Sequence, residues 1–327
     1  MSNQKLSWGL LSTANINQAI IEPLRISNRS QLAAVASRSQ DKADAYAKEW
    51  DIPKTFGSYE EMLADKDIDV IYNSLPNSMH AEWTIKAAKA GKHVLCEKPI
   101  ALSIQEVDAI KAASNDANVV IAEAFMYKHH PQSRLVKQLV EDGDIGDLQL
   151  ILGSFSFYLG RKDDIRLDPE MGGGSIWDIG CYPISYARFI AGATPEQVFG
   201  WQVSSDRGVD LTFVGQLRFP DGVMAQIDSS FLAPLRMHVE IVGSQGVLYV
   251  PNPYKPDHNE TVILQRKHKM EEISAPDAPL YLGEVEDMAD AILESKPNLI
   301  SLDDSRGNVN TIVSLLKSAK GGKPIQC

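Results

Sequence analysis

Short apolar runs alternate with amphipathic stretches along the chain up to Ala122. Leu6 to Leu11, Leu32 to Ala36, Val70 to Leu75, the run opening at His93 and Val119 to Ala122 are largely apolar, as strands buried on both faces are. Between them, Ile16 to Ile26, Ala43 to Trp50, Ala81 to Ala90 and Ser103 to Ala113 have helical spacing. Ser39 is placed to cap the second of these helices and Gly91 to end the third. This βαβα order predicts a parallel sheet with helices on both faces. The rhythm changes near Glu123. From Leu148 onward strands dominate: Leu148 to Tyr158, Gln197 to Ser204, Leu211 to Phe219, Met224 to Phe231, His238 to Val242, Val247 to Val250 and Val262 to Gln265. Turn signals such as Pro220-Asp221-Gly222 separate them, which predicts a largely antiparallel sheet. Two helices, near Leu282 to Glu294 and Asp304 to Lys317, close the chain. The expected division is a dinucleotide-binding domain over 1–122 and an α+β domain over 123–327.

Composition narrows the function. At 327 residues the chain is too long for one small core, which agrees with two domains. A formal net charge of -11 argues against nucleic acid or an anionic membrane as partner, because both need basic faces. Cys96, Cys181 and Cys327 are an odd number at unrelated spacings, which gives neither a disulfide framework nor a zinc site. Met1 to Lys5 is polar, and no apolar run approaches the roughly 18 residues of a membrane span. The expected compartment is reducing and cytoplasmic.

The candidate chemistry lies where strands end, since ligands of open α/β sheets bind beyond the carboxyl ends of the strands. Cys96-Glu97-Lys98-Pro99 ends the strand at His93. A lysine there acts as a point charge, a proton donor or an orienting group, and Pro99 makes a cis bond available that fixes its direction. Alone, the four residues fit a surface lysine in a turn equally well. The first turn places Ser12, Ala14 and Asn17 where a dinucleotide fingerprint has glycines. The bare motif fails, yet the backbone of Ser12, Thr13, Ala14, Asn15 and Ile16 is placed for a pyrophosphate at a helix start. After the second strand come Ser37 and Arg38, with no acidic residue until Asp41. An acid there would hold the ribose hydroxyl of NAD, whereas Arg38 suits the 2′-phosphate of NADP. Leu75, Pro76, Asn77 and His80 follow the third strand at the same edge; Asn77 is also placed to cap the next helix. Glu123 ends the last parallel strand and faces the same cleft. His129 and His130 are adjacent, and neighbours do not share a helix face, so no metal is expected.

In the second half, Gly172-Gly173-Gly174 precedes Asp178 and Tyr182, which share a helix face if the helix survives Pro183. A nearby Lys⁺ would lower the phenol from its usual pKa near ~10 and make it a usable acid or base. A buried tyrosine and a capping aspartate fit the segment as well.

Taken together these motifs resemble the glucose–fructose oxidoreductase and inositol dehydrogenase (Gfo/Idh/MocA) family over almost the whole chain. They are the degenerate first turn, Leu-Pro-Asn-x-x-His, Glu-Lys-Pro, Glu-Ala-Phe-Met-Tyr with a following His-Pro, and Gly-Gly-Gly-x-x-x-Asp-x-Gly-x-Tyr. The resemblance implies an α/β protein: an N-terminal Rossmann domain with a parallel sheet, and a C-terminal α/β domain with an open, mainly antiparallel sheet that commonly makes the dimer interface. It places the family's main catalytic lysine on Lys98. Tyrosine rather than histidine at 182 is similar to NADP-dependent xylose dehydrogenase and dimeric dihydrodiol dehydrogenase. The expected activity is therefore hydride transfer between NADP(H), in preference to NAD, and a sugar or related polyhydroxylated alcohol or carbonyl. Lys98, Tyr182 and Asp178 are the catalytic candidates, with Glu97, His80 and Glu123 near the cleft. Tyr158, Arg161 and Arg166 are candidate substrate contacts. The expected partner is a small molecule, and the expected assembly a homodimer or dimer of dimers. The alternatives are a dihydrodiol dehydrogenase, a nucleotide-sugar ketoreductase, which a basic pocket for a diphosphate would favour, and a non-catalytic NADP sensor, which loss of Lys98 or Tyr182 would favour. Both residues are present.

Overall fold

A computed structural model describes residues 5–256 and 258–327; the polar residues 1–4 and residue 257 lie outside the described residues. The chain forms two compact units. The first takes the chain up to Met126 together with Tyr281–Arg306, and the second takes Tyr127–Leu280 and Gly307–Cys327.

The first unit holds β1 (Leu6–Leu11), α1 (Asn17–Ile26), β2 (Ser30–Ala36), α2 (Gln40–Trp50), β3 (Lys54–Phe56), α3 (Tyr59–Ala64), β4 (Val70–Asn73), α4 (Asn77–Lys89), β5 (His93–Glu97), α5 (Ile104–Ala117) and β6 (Ile121–Ala124). All six strands are parallel, in the order β3-β2-β1-β4-β5-β6. The order reverses between β1 and β4, which makes the crevice beyond their carboxyl ends the natural ligand position. The apolar runs are the sheet's centre: Trp8, Leu10, Val35, Val70, Tyr72 and Val94 have no exposed surface. Ser103 caps α5 by accepting from the Glu106 amide at 3.2 Å. Two expected caps differ. Ser39 precedes α2 but its side chain makes no capping bond, and Asn77 is the first residue of α4 behind Pro76.

The second unit carries α7 (Pro131–Glu141), after the short α6 (Met126–His129) at the boundary. It continues with β7 (Leu148–Ser156), a π-helical turn over Ile176–Gly180, α8 (Cys181–Ala191), β8 (Gln197–Ser204), β9 (Asp210–Arg218), β10 (Met224–Ser230), β11 (Arg236–Gly243), β12 (Val247–Val250), β13 (Thr261–Arg266) and β14 (Lys269–Ser274). Its nine-stranded sheet runs β14-β13-β12-β11-β7-β10-β9-β8-β15, the last being Ile325–Gln326. It is antiparallel except where β10 runs parallel to β7, so it is a mixed sheet. One face is covered by α8 and by α10 (Leu302–Gly321), whose Leu315 lies against Gly200 and Gly215. The other face leaves Trp201, Val203 and Met224 exposed.

The domain division differs from the sequence expectation of 1–122 and 123–327: the first unit runs to Met126 and also takes Tyr281–Arg306. Helix α9 (Leu282–Glu294) belongs to the first unit, not the second. Its apolar face inserts Val285, Met288 and Ala289 into the core formed by Trp8, Leu10, Ile20 and Tyr72. Its polar face holds Arg29, whose guanidinium meets Glu286, Asp290 and Glu294 at 2.6, 2.5 and 2.9 Å. The helix was legible from its own spacing. Its destination depends on surface 257 to 265 residues away in the chain, which local periodicity does not encode.

Candidate active site

In the first unit the loops at the carboxyl edge are tied to one another. Ser12 has φ 150°, and its hydroxyl meets the Ser74 hydroxyl at 2.8 Å, joining the turns after β1 and β4. The Ser12 oxygen also accepts from the Ala14 amide at 3.1 Å, and buried Asn17 donates its side-chain amide to the Ser12 carbonyl at 2.7 Å. The degenerate fingerprint thus closes by side-chain bonds where glycines would close it by backbone freedom. Helix α1 begins with no side-chain cap; its first amides, those of Asn17, Gln18 and Ala19, donate to the carbonyls of Ala14, Asn15 and Ile16 at 3.1, 3.2 and 3.0 Å, which winds the turn before the helix tightly. Thr13, Ala14, Asn15 and Ile16 form this turn. Ser37 is buried at the end of β2, and Arg38 beyond it is exposed beside the Tyr59 hydroxyl. A dinucleotide with a 2′-phosphate fits this edge: a tight turn at a helix start for the pyrophosphate, and an exposed guanidinium one residue beyond buried Ser37 for the 2′-phosphate.

His80, from the first turn of α4, stands 2.8 Å from the Pro99 carbonyl and 2.6 Å from that of Leu75. Burial lowers its pKa to about 4, against the raising effect of both carbonyls, so near neutrality the ring is uncharged and donates to one of them. It ties the loop Leu75-Pro76-Asn77 to the segment carrying Lys98. The Lys98–Pro99 bond is cis, and Lys98 itself is half-buried. Glu123 holds the far side of this segment by accepting from the Ile100 amide at 2.9 Å. Glu97 is buried and accepts from the Tyr72 hydroxyl; its other oxygen lies 3.3 Å from the Lys98 amide. His80, Glu97 and Glu123 therefore brace the lysine segment from inside the unit.

Three groups here escaped the sequence reading. Tyr72 lies on β4 beside β5 in the parallel register. Glu284 and Tyr281 come from α9 and the residue before it. Glu284 is 1% exposed, and neither of its oxygens has a hydrogen-bond partner among the described residues. Burial pushes its carboxyl well above 4.5, and the charge of Glu97 pushes in the same direction. The register of β4 on β5 was a signal for Tyr72; nothing local signals Glu284.

In the second unit the chain reaches Asp178 and Tyr182 through an unusual helix. Pro183 has no N–H, and in regular α geometry its ring would meet the carbonyl four residues back. The π turn over Ile176–Gly180 absorbs the misfit, and the helix continues unbroken to Ala191. Gly180 lies against the Ser229 hydroxyl and Pro183 against Gly153, which presses the helix onto β10 and β7. Asp178 pairs with Arg166 at 2.7 Å, and Arg166 also meets Asp164 at 3.3 Å; Asp178 is the leading reason its pKa is raised. Tyr182 is 3% exposed and packs among Phe155, Tyr254 and Tyr127, with ring centroids 5.6, 5.7 and 6.1 Å away. Arg161 and Tyr158 are exposed, the latter at 71%. His130 caps α7 by accepting from the Gln132 amide at 3.2 Å, and His129 is buried, which lowers its pKa to about 3. No cluster of metal-ligating side chains occurs among the described residues.

A 3-2-1-4-5-6 parallel sheet with a lysine braced at the end of its fifth strand has the architecture of a nicotinamide-dinucleotide oxidoreductase. Residues 6–125 match the oxidoreductase family with an NAD-binding Rossmann fold, and residues 133–249 match the Gfo/Idh/MocA C-terminal domain. The chain belongs to the Gfo/Idh/MocA oxidoreductase family. It is 34% identical over 325 residues to a D-xylose 1-dehydrogenase (NADP⁺) of Haloferax volcanii, covering 98% of this chain and 99% of the relative. It is 31% identical to a trans-1,2-dihydrobenzene-1,2-diol dehydrogenase of Xenopus tropicalis, over 75% of each chain. The solved structure of a 3-ketoreductase from Actinomadura kijaniata with NADP and TDP-benzene superposes with a TM-score of 0.91 at 27% identity, over 96% of this chain and 98% of that one.

Proposed function

We propose that the protein is an NADP(H)-dependent dehydrogenase of aldoses or related polyols, with Lys98 and Tyr182 as its proton-handling pair. The observation that carries this reading is the end-to-end similarity to a D-xylose 1-dehydrogenase (NADP⁺). Arg38 without a competing carboxylate supports NADP over NAD. Bound NADP supplies the hydride acceptor for oxidation and, when reduced, the donor for reduction. In the oxidative direction the substrate carbon loses a hydride and its hydroxyl loses a proton, leaving a carbonyl. Tyr182 takes that proton, and Lys98 favours the phenolate and polarises the substrate oxygen. Asp178, oriented by Arg166, holds a substrate hydroxyl. Glu97, His80 and Glu123 act through Lys98 by fixing its segment.

An uncharged sugar fits better than a nucleotide diphosphate. The segment 158–174 carries three cations, Arg161, Lys162 and Arg166, against the four carboxylates Asp163, Asp164, Asp168 and Glu170. Arg166 is already committed to Asp164 and Asp178, and Arg207 to Asp168 at 3.0 Å. Cys96, Cys181 and Cys327, none of them in a disulfide, suit a reducing, cytoplasmic setting. No helix among the described residues is long and apolar enough to cross a membrane. The exposed face bearing Trp201, Val203 and Met224 suits a homodimer built sheet to sheet.

The test is a panel of aldoses, polyols, diols and a nucleotide-linked keto sugar, read by absorbance of the reduced nicotinamide. D-xylose or another aldose turns over with NADP⁺. Lys98→Met abolishes most turnover with NADP(H) binding nearly intact, and Tyr182→Phe lowers kcat at least about a hundredfold. Turnover of the nucleotide-linked sugar alone, or a Tyr182→Phe enzyme with unchanged kcat, overturns the corresponding part of the reading.

A further inference from the structure

The glycine run before the Tyr182 helix looks at first like a ligand loop. Gly173 and Gly174 are instead closely approached by the chain itself. A Cβ on Gly173 would sit 2.5 Å from the Arg166 carbonyl oxygen, and one on Gly174 would sit 2.3 Å from Asp210 Oδ1. Gly174 has φ +122°, so it is a glycine for reasons of conformation as well as space. Asp210 is the first residue of β9 and is 3% exposed. Its Oδ2 accepts from the Ser175 hydroxyl at 2.6 Å and from the Ile176 amide at 2.8 Å. Ser175 is fully buried, and its hydroxyl also lies 2.9 Å from that of Ser229 on β10. The helix start therefore has no capping side chain of its own. A carboxylate 34 residues further along the chain supplies the cap.

A surface cap fixes only a helix end. This one is buried, belongs to a strand, and is reached by a glycine that leaves no slack. Asp178 lies two residues after Ile176, and Tyr182 follows one helical turn later. A shift of the helix start along its axis moves both side chains together.

We propose that Asp210 is a positioning residue of the active centre, capping the helix that carries Asp178 and Tyr182 and so setting where those side chains stand. The proposal rests on the reading that Tyr182 is catalytic. Displacement of a reacting group by about 1 Å is enough to lower a rate on the order of a hundredfold. Asp210 is 3% exposed and its Oδ2 is taken by Ser175 and Ile176, so its effect falls on kcat and not on dinucleotide affinity.

The experiment compares Asp210→Ala, Asp210→Asn and Ser175→Ala with the parent and with Tyr182→Phe, using D-xylose or whichever aldose the panel selects. Asp210→Ala lowers kcat about ten- to hundredfold with an unchanged Kd for NADPH. Asp210→Asn, whose amide oxygen still caps, stays within about threefold of the parent. In the double variant Asp210→Ala/Tyr182→Phe, kcat falls little below that of Tyr182→Phe alone, although the losses in thermal stability add. Amide hydrogen exchange at Ile176, Trp177 and Asp178 speeds up in Asp210→Ala well below its unfolding temperature, a readout independent of any substrate. Full activity in Asp210→Ala beside an impaired Tyr182→Phe, kcat losses that multiply in the double variant, or unchanged exchange at Ile176 to Asp178 would each overturn the proposal. Should Asp210→Ala fail to fold, Ser175→Ala with parental kcat and parental exchange at those amides does the same. A Tyr182→Phe enzyme with parental kcat instead removes the catalytic reading on which the proposal stands.

Discussion

Replacing Glu284 by glutamine makes the first unit more stable, and the gain grows with pH. Glu284 is sealed into the core of that unit, and its oxygens lack partners among the described residues. The groups facing it are Glu97 on β5, Tyr72 on β4, and Tyr281 and Asp287 on its own segment. Glu97, whose charge is the second cause that raises Glu284, has donors in the Tyr72 hydroxyl and the Lys98 amide. Glu284 has none and keeps its proton. In the unfolded chain the same carboxyl ionises near 4.5. Between that value and its raised folded value, the folded protein binds the additional proton, so stability falls as pH rises. The slope for one proton is about 1.4 kcal/mol per pH unit within that interval. Glutamine has the same shape and does not titrate, so the variant escapes this slope. Native-state hydrogen exchange at the amides of Trp8, Gly9 and Leu10, followed from about pH 5 to about pH 8, reads the opening of the unit that holds Glu284. A stability difference between variant and parent that stays constant over that range would refute the reasoning, because Glu284 would then titrate as in water.

Four shorter predictions follow from the same geometry. Arg38→Ala removes a charge-assisted contact worth roughly 1.5–3 kcal/mol and narrows the preference for NADPH over NADH about ten- to hundredfold by equilibrium binding; an unchanged preference places the 2′-phosphate elsewhere. Acid weakens the fold through His80 and His129, whose pKa values are lowered to about 4 and about 3. Each costs about 1.4 kcal/mol per pH unit as pH falls below the usual 6.5 toward the folded value, and His80→Gln loses its share of that slope in urea titrations. Gly174→Ala forces a side chain into a positive-φ site against Asp210 and destabilises the second unit by about 1–3 kcal/mol in thermal melts. Trp201→Glu on the exposed sheet face yields a monomer by sedimentation where the parent is a dimer; a parent that sediments as a monomer at micromolar concentration defeats the sheet-to-sheet assembly.

The parts of this fold that were readable in advance are those whose signal is local. The strands at Leu6, Val70 and His93 announce themselves because both faces are buried, and Leu282–Glu294 is a helix by its spacing alone. Lys54–Phe56 was missed because three half-buried residues at a sheet edge carry no pattern, and Lys269–Ser274 because its residues are nearly all exposed. Pro183 argued for a broken helix, and only the π turn, which has no sequence signature here, reconciles the two. Lys98, Tyr182 and Asp178 stood out because their residue types are chemically informative where they fall. Asp210 and Glu284 did not, since an aspartate opening a strand and a glutamate in an amphipathic helix look like surface residues until the tertiary fold buries them.

The return of α9 to the first unit has a consequence for how the protein emerges from the ribosome. Its six parallel strands are all synthesised by Ala124, but the core around Trp8, Leu10 and Ile20 lacks Val285, Met288 and Ala289 until Glu294 has been made. At elongation rates of about 5–20 residues per second, that wait lasts roughly 10–30 s. Throughout it a nascent sheet presents an uncovered apolar groove while the intervening chain is still being threaded out. The first unit to be translated is thus the one that must finish late, and the vulnerable species in expression of this protein is a nearly complete Rossmann sheet waiting for a single helix.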